Sequence, residues 1–583
     1  MRECEWVSGE QVCGNRERSV CVAKLAGRGG ASCDSAEVPR RSGAASCATT
    51  KSSRRAVAWA WRRMVGRGML VLGAVLLAGC HPGKGGGGGN ESAIGGSGTG
   101  VRRNLGELAK GPQVRVAPVN GVFEPVTEPE LPSRPTTGSR KEVAGRVAKE
   151  ALPIRPCEIA IFPCAFDGVT QANCTTSCSG QPPDPNAAVG AGKIVEVVND
   201  LMRVTNRQGA VQCNGPVTLQ TLLNTTEGLT DPRVQFDDAN QRFSFSVTVD
   251  PPVATEPMMF VAASASEDPC GDWFVFPLTF HGSAYPKGFA LDFPMLGQDQ
   301  NALLLSLRTC KTFSDCGGAI FTVFGVPKTL VYTGQHVEFN SFVVDSLTAP
   351  VTNAGNPLIH SPVSFFLAAV PGTGYKLYRI TNSGGNGAVM TKTTINASFA
   401  KPPRRVNQPG TTNTLDPSDG NIVSFPYFDG TRIWFSHDAD DDGFPTVLYG
   451  FVDVSKNAVE RTFAFHSGSS DDFNSSLAVG FTPGKETVYM NWAFTDSMAG
   501  TATTAVFAMG DANGPLVAIA GAGTPFTSGG GVTSQTRFGD FSSVSVDPSV
   551  GGCAFATQQY FATDGGWKTR VAPVGTCENI VVK

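Results

Sequence analysis

Residues 538–561, FGDFSSVSVDPSVGGCAFATQQYF, run from a polar start through a short strand and a turn into a longer hydrophobic strand. The same order of features occurs at 184–200 (DPNAAVGAGKIVEVVND), 231–250 (DPRVQFDDANQRFSFSVTVD) and 292–308 (DFPMLGQDQNALLLSLR). It returns at 361–381, 422–438 and 473–493, giving seven units at a spacing of roughly 45 to 70 residues. That spacing holds four strands with their loops, and a twisted four-stranded sheet buries its two faces only against neighbours of its own kind. The expectation is an all-β, seven-bladed β-propeller over 157–583, with six blades as the variant because 361–381 fits the pattern least well. A pair of β-sandwiches is the competing architecture. The 68 glycines and 39 prolines agree with short elements and many turns.

Working outward toward the N-terminus, residues 101–156 are rich in Pro, Val and charge, with one short amphipathic helix expected at 140–152. Residues 81–100 are Gly/Ser-rich and read as a flexible coil. Together, 80–156 is expected to be a flexible tether. Before it, RRMVGRGMLVLGAVLLAGC (62–80) has a basic flank and an apolar run too short to span a bilayer, and ends in Cys80. LLAGC resembles the lipobox of bacterial lipoproteins. The resemblance implies a signal peptide over 64–79, cleavage before Cys80 and lipid on that residue, hence a cell-envelope protein held on a membrane. His81 after the cysteine favours the outer membrane by the same analogy. Residues 1–63 lack hydrophobic periodicity and read either as an overlong start, with Met64 or Met69 the initiator, or as an export leader with Arg54 and Arg55 as twin arginines.

Five of the 16 cysteines precede the signal, and ten follow the tether: Cys157, Cys164, Cys174, Cys178, Cys213, Cys270, Cys310, Cys316, Cys553 and Cys577. An even number beyond an export signal points to disulfides. The spacings from Cys157 to Cys178 do not form a CxxC pair, so zinc is disfavoured. The formal net charge of −3 gives no basic field, which excludes a nucleic-acid partner.

The blocks PPDPNAAVGAGKIVEVVND, DPRVQFDDANQRF, DFPMLG, SLAVGFTPG, RFGDFSSVSVDP and GGWKTRVA, in this order between about 180 and 575, resemble a group of secreted bacterial β-propeller proteins. The resemblance implies fold and export. It supplies no catalytic residue, because the biochemical role of that group is itself uncharacterised.

Chemistry is sparse in the text. The six histidines form no H-x-x-x-H pair, and no G-x-S-x-G elbow occurs. A sialidase-like site needs clustered arginines, and Arg233, Arg308, Arg432, Arg537 and Arg570 lie at strand ends in different units. SVDPSVGGCAF (545–555) only loosely resembles the Asp-box turn of such enzymes and reads as structural. Asp184, Asp231, Asp292 and Asp540 each open a unit, so they are expected either to ring one mouth of the axial channel or to cap turns. In HDADDDGFP (437–445), Asp438, Asp440 and Asp442 take the first, third and fifth positions of a calcium loop, but Tyr449 stands where the closing glutamate belongs. Two readings stay open there: a structural Ca²⁺ site in a β-hairpin loop, or a solvated acidic turn. The functional expectation is a membrane-tethered binding or scaffold propeller with a glycan or protein ligand. A carbohydrate-active propeller enzyme with its site at the axial mouth is the alternative.

Overall fold

In a four-stranded sheet stacked between two others, residues of alternate parity must both be apolar, because each face meets a core. The strand Met258–Ser264 shows this. Phe260 and Ala262 pack toward Val195, Val197 and Val204 on one side. Met259, Val261 and Ala263 pack toward Leu303, Leu305 and Phe324 on the other. Each such fully buried large side chain contributes roughly 1.5–3 kcal/mol.

The computed structural model describes residues 94–113, 165–174 and 182–577, the last with short interruptions such as 354–360 and 513–519, and three strands between residues 4 and 22. Those three, Cys4–Val7, Glu10–Cys13 and Cys21–Val22, pair antiparallel within the unit spanning 1–87. The expected signal peptide at 64–79, Cys80, the helix at 140–152, and Cys157, Cys164 and Cys178 lie outside the described residues. Among the described residues no helix is long and apolar enough to cross a membrane.

From residue 186 onward the chain lays down antiparallel meanders one after another. The first runs Asn186–Gly190, Lys193–Val198, Leu201–Asn206, Val217–Thr218. The second begins with Gly228–Asp237 and the third with Ala290–Gln298, each completed by three further strands. Later sheets open with Ala349–Pro350, Asp471–Thr482 and Ser543–Val546, and one further sheet has five strands, beginning with Thr352–Asn353 parallel to Tyr427–Phe428. Consecutive sheets stack face to face through their own cores. Ala302, Leu304 and Val323 meet Phe366, Ala368 and Tyr378, and Trp434, Val447 and Tyr449 meet Val488, Met490 and Trp492. The sheet opened by Ser543 packs back onto the first, where Val550, Phe555 and Val571 meet Ala187, Val189 and Ile194. Its fourth strand, Phe166–Thr170, comes from far upstream and pairs antiparallel with Trp567–Gly575. Glu196 of the first sheet fastens that strand by accepting the Val169 N–H at 3.1 Å. Stacked sheets whose last member rests on the first, sealed by a strand from the other end of the chain, make a β-propeller.

Two expectations are corrected. Residues 94–100 are not a coil: Ile94–Gly98 is a strand that pairs with Asp272–Phe280 on one side and Val337–Val344 on the other. The glycines are there for space, since a Cβ on Gly96 would stand 2.5 Å from both the Phe339 ring and the Thr279 carbonyl oxygen. Val101–Asn104 then pairs with Asp272–Val275, and Asn104 caps the turn Leu105–Leu108 by accepting the Glu107 N–H. The expected tether over 80–156 therefore gives way at 94–113 to structure integral to the propeller. The unit read at 361–381 is the second and third strands of its sheet, Val363–Val370 and Gly374–Thr381. Its innermost strand is Ala349–Pro350, two residues long and carrying a proline.

Disulfides join Cys213 to Cys270, Cys310 to Cys316 and Cys553 to Cys577. The first spans the first and second sheets and closes 57 residues, worth about 4 kcal/mol on loop-entropy grounds. Cys174 departs from the expected framework: it is a buried free thiol, packed as a small hydrophobe with Val169, Phe561 and Trp567.

Candidate functional site

The innermost strands converge on the axis, and each of several carries one residue in the left-handed region: Asp184 (φ 49°), Asp231 (φ 62°), Phe293 (φ 54°) and Asn474 (φ 52°). At the last three the ladder slips, between Thr230 and Arg233, Asp292 and Met295, and Phe473 and Ser476, whereas Asp184 stands just before its strand, Asn186–Gly190. These are β-bulges, which turn a side chain out of its strand toward a neighbour. Aspartate and asparagine tolerate the conformation, and proline after Asp184 and Asp231 needs no ladder partner.

The side chains so aimed reach backbone N–H groups of adjoining sheets. Asp184 Oδ1 accepts from the Asp540 N–H at 2.7 Å, and Oδ2 accepts from Asn199 Nδ2 at 2.6 Å. Asn199 Oδ1 accepts from the Asp231 N–H at 2.8 Å. Asp231 Oδ2 accepts from the Phe293 N–H at 3.3 Å and Oδ1 from the Thr230 hydroxyl at 2.9 Å. Further round, Asp438 Oδ2 accepts from the Asn474 N–H at 2.9 Å, and Asn474 Nδ2 donates to the Gly539 carbonyl. Each intramolecular hydrogen bond contributes roughly 0.5–1.5 kcal/mol, so this circuit fastens sheet to sheet at the axis.

Asp184, Asp231, Asp292 and Asp540 lie close enough for their charges to act on one another. Arginines interleave them: Arg308 Nε donates to Asp292 Oδ2 at 2.8 Å and Arg537 to Asp540 Oδ2 at 2.8 Å. Arg233 is fully buried, with its guanidinium 4.0 Å from the centre of the Phe541 ring and 4.6 Å from that of Phe425. One of its nitrogens donates to the Val423 carbonyl at 3.0 Å; Nε and the other terminal nitrogen have no partner. Burial lowers its pKa to about 9, against the pull of Asp231 and Asp184. Burial, reinforced by Asp540, raises Asp184 to about 7. Burial, then Asp184, Asp292 and Asp540, holds Asp231 well above the usual carboxylate range. The other two arginines lie elsewhere: Arg432 pairs with Asp429 at 2.7 Å and Arg570 with Asp167 at 2.8 Å.

The acidic stretch 437–445 joins two strands, Arg432–Asp441 and Phe444–Asp453. It folds as a tight hairpin with Asp441 opposite Phe444, and Asp442 (φ 56°) and Gly443 (φ 84°) form the Asp-Gly turn that such hairpins favour. Asp440 Oδ1 accepts the Gly443 N–H at 3.1 Å, while Asp438 is buried and joins the axial circuit. Among the described residues, Asp438, Asp440 and Asp442 do not bring three carboxylate oxygens within 4.8 Å of one another. Among the described residues, Asp292 with Cys310 and Cys316 brings ligand-type atoms within 4.8 Å of one another, but both sulfurs are tied in their disulfide. In 545–555, Asp547 is a buried latch: Arg207 of the first sheet donates to Asp547 Oδ1 at 2.7 Å.

Near Arg233 the axis opens into a cavity of about 390 Å³ with Phe425 in its wall. Its walls come from the same innermost strands, including Val189, Val234, Phe236, Val479 and Val546. Gln235 and Gln298 line it too, along with the ion pair of Lys328 and Asp237 at 2.6 Å. The sequence reading passed over these residues. The signal was present: each glutamine follows its unit-opening aspartate along the same strand, Gln235 after Asp231 and Gln298 after Asp292.

No protein-family model matches the chain, and no curated protein matches it. Among solved structures, an exo-β-1,3-galactanase from Phanerochaete chrysosporium shares 13% identity, over 60% of this chain and 93% of that one, at a TM-score of 0.26. An acylaminoacyl peptidase from Pyrococcus horikoshii shares 8%, over 67% and 51%, at 0.34. An exo-1,5-α-L-arabinanase from a bovine ruminal metagenomic library shares 8%, over 52% and 94%, at 0.20. Likeness this remote decides neither activity nor ligand, and the propeller rests on the sheet order, the stacked cores and the closing strand.

Proposed function

We propose that the chain is a cell-envelope lipoprotein, anchored through Cys80 in the outer membrane, whose seven-bladed propeller is a binding or scaffold module. It is read as a relative of the secreted bacterial propellers whose sequence blocks it resembles, and its partner is a glycan or protein met at the axis. One observation carries this reading. At the axial mouth Asp184, Asp231, Asp292 and Asp540 are each engaged by a backbone N–H or an arginine, so among the described residues these four do not offer a free acid and nucleophile as a pair. A glycosidase needs one carboxylic acid and one carboxylate facing a common substrate space. Here the acids hold sheets together, and the open space is the cavity beyond them.

The alternative, a carbohydrate-active propeller enzyme at the mouth, has a specific observation in its favour. Asp184, raised to about 7, is the kind of group that gives and takes protons near neutrality, and arginines stand beside it. A glycan array probed with the full chain, with released sugar measured in parallel, separates the two. Retention without released product supports the binding module. Released product that Asp184→Asn abolishes overturns it.

A further inference from the structure

We infer that the axial cavity takes a small organic cation, an ammonium carried on an apolar body; the inference concerns the cavity alone and does not depend on the glycan or protein partner proposed for the axis. At about 390 Å³ the cavity falls within the ~300–1,000 Å³ of small-molecule sites. Its rim and its wall differ in chemistry. The rim is made where the first and second strands of three sheets connect, by the exposed residues Ala239, Asn240, Gln300, Asn301 and Gly551. The buried wall carries Val189, Val234, Val479, Val544 and the Phe425 ring.

Charge is out of balance across this lining. Asp237, Asp238, Asp299 and Asp547 all line the cavity. Lys328 pairs with Asp237 at 2.6 Å, and Arg207 with Asp547 at 2.7 Å. Lys328 Nζ also donates to the Asp299 main-chain carbonyl at 2.6 Å, so its charge is already engaged. The Asp299 carboxylate is met by neutral donors, the N–H groups of Asn301 and Ala302 and the hydroxyls of Ser364 and Ser383. Asp238, half-buried at the rim, takes the Gln241 amide on one oxygen at 2.8 Å. Among the described residues, Asp238 and Asp299 therefore lack the cation that Asp237 and Asp547 have. Burial raises the Asp238 pKa against the pull of the Gln241 amide, and Asp237 and Asp547 add to the rise, so a cation brought to the rim relieves a crowding of like charge.

The kind of cation follows from the spacing. A divalent metal needs several oxygens converging on one centre, and among the described residues the lining aspartates do not bring three ligand atoms within 4.8 Å of one another. An anion would meet carboxylates of its own sign. What fits is a single charge whose remaining bulk is apolar, with the ammonium at Asp238 and the body against the valines and the Phe425 ring.

The test is calorimetry and saturation-transfer NMR on the full chain with hexylammonium and phenethylammonium, against hexanol and phenethyl alcohol as neutral counterparts and hexanoate as an anionic one. The expected result is binding of at least one ammonium, about tenfold or more tighter than the matching alcohol, and no binding of hexanoate. Asp238→Asn, at its half-buried rim position, should bring the ammonium down to the level of the alcohol. Val546→Trp, which fills the cavity from its lining, should abolish binding of both. No ammonium binding, an alcohol that binds as tightly, or an affinity unchanged in Asp238→Asn overturns the inference. Displacement of the ammonium by one equivalent of Ca²⁺ overturns it too, by making the rim a metal site. The binding module is judged separately: a ligand captured on the glycan array and not displaced by hexylammonium leaves that module standing whatever the calorimetry gives.

Discussion

The two ends of the axis are built from the same strands and solve opposite problems. At the end where those strands begin, carboxylates outnumber their arginine partners and face backbone N–H groups across sheet boundaries. At the other end Lys328 pairs with Asp237, and the amides of Gln235 and Gln298 donate to carbonyls of adjoining sheets around the cavity. One end is therefore held by carboxylates that accept and the other by carboxamides that donate. The difference shows that one set of strands fastens neighbouring sheets with acceptors at one end and with donors at the other.

The sharpest way to break this contrast is to remove a fastener. Asp231→Ala takes away the acceptor for both the Phe293 N–H and the Thr230 hydroxyl, and a buried donor left unsatisfied costs roughly 1–3 kcal/mol, so about 2–6 kcal/mol together. Urea unfolding should show that loss, with Asp231→Asn losing less; an unchanged midpoint in Asp231→Ala would remove the cohesive role. Opening the Cys213–Cys270 bridge by replacing both cysteines with serine should cost roughly 2–4 kcal/mol, read as a fall in Tm.

The pH dependence follows from Asp184. Its folded pKa is about 7 against an unfolded value near 3.8, so between those values the folded state binds the extra proton. Stability at this site therefore falls as pH rises from about 4 to 7, and the urea midpoint should be higher at pH 5 than at pH 8. Asp184→Asn should flatten that slope; a slope unaltered by the substitution would place its origin elsewhere. The smallest effects are expected at the 437–445 hairpin, where Asp442→Asn should stay within about 0.5 kcal/mol as a surface change. EGTA should leave Tm where it was, and a Tm that drops in chelator and recovers with Ca²⁺ would restore the calcium loop.

The sequence made the inner hairpins legible wherever an acidic start, a turn and an apolar run occurred together. The sheet opened by Ala349–Pro350 escaped because its inner strand is too short for any alternation to register. Ile94–Gly98 escaped for another reason: glycine normally marks flexible chain, and only the approach of two other strands reveals that it is needed for fit. At the axis the aspartates stood out by recurrence, whereas Asn199 and Asn474, which do the same work with amides, carry no charge to draw attention. Asp438 was harder to place because it shares a short acidic run with residues of the adjoining turn. Its bond to a neighbouring sheet depends on a contact 36 positions away that no local spacing encodes.

The strand at Ile94–Gly98 also has a mechanical meaning. If lipid holds Cys80, only residues 81–93 separate the anchor from a segment hydrogen-bonded along both edges. Thirteen extended residues reach at most about 45 Å, so the leash is short and enters at the rim between two sheets rather than at either end of the axis. A pull on the membrane would load that strand in shear across two ladders, while both axial openings stay off the line of force.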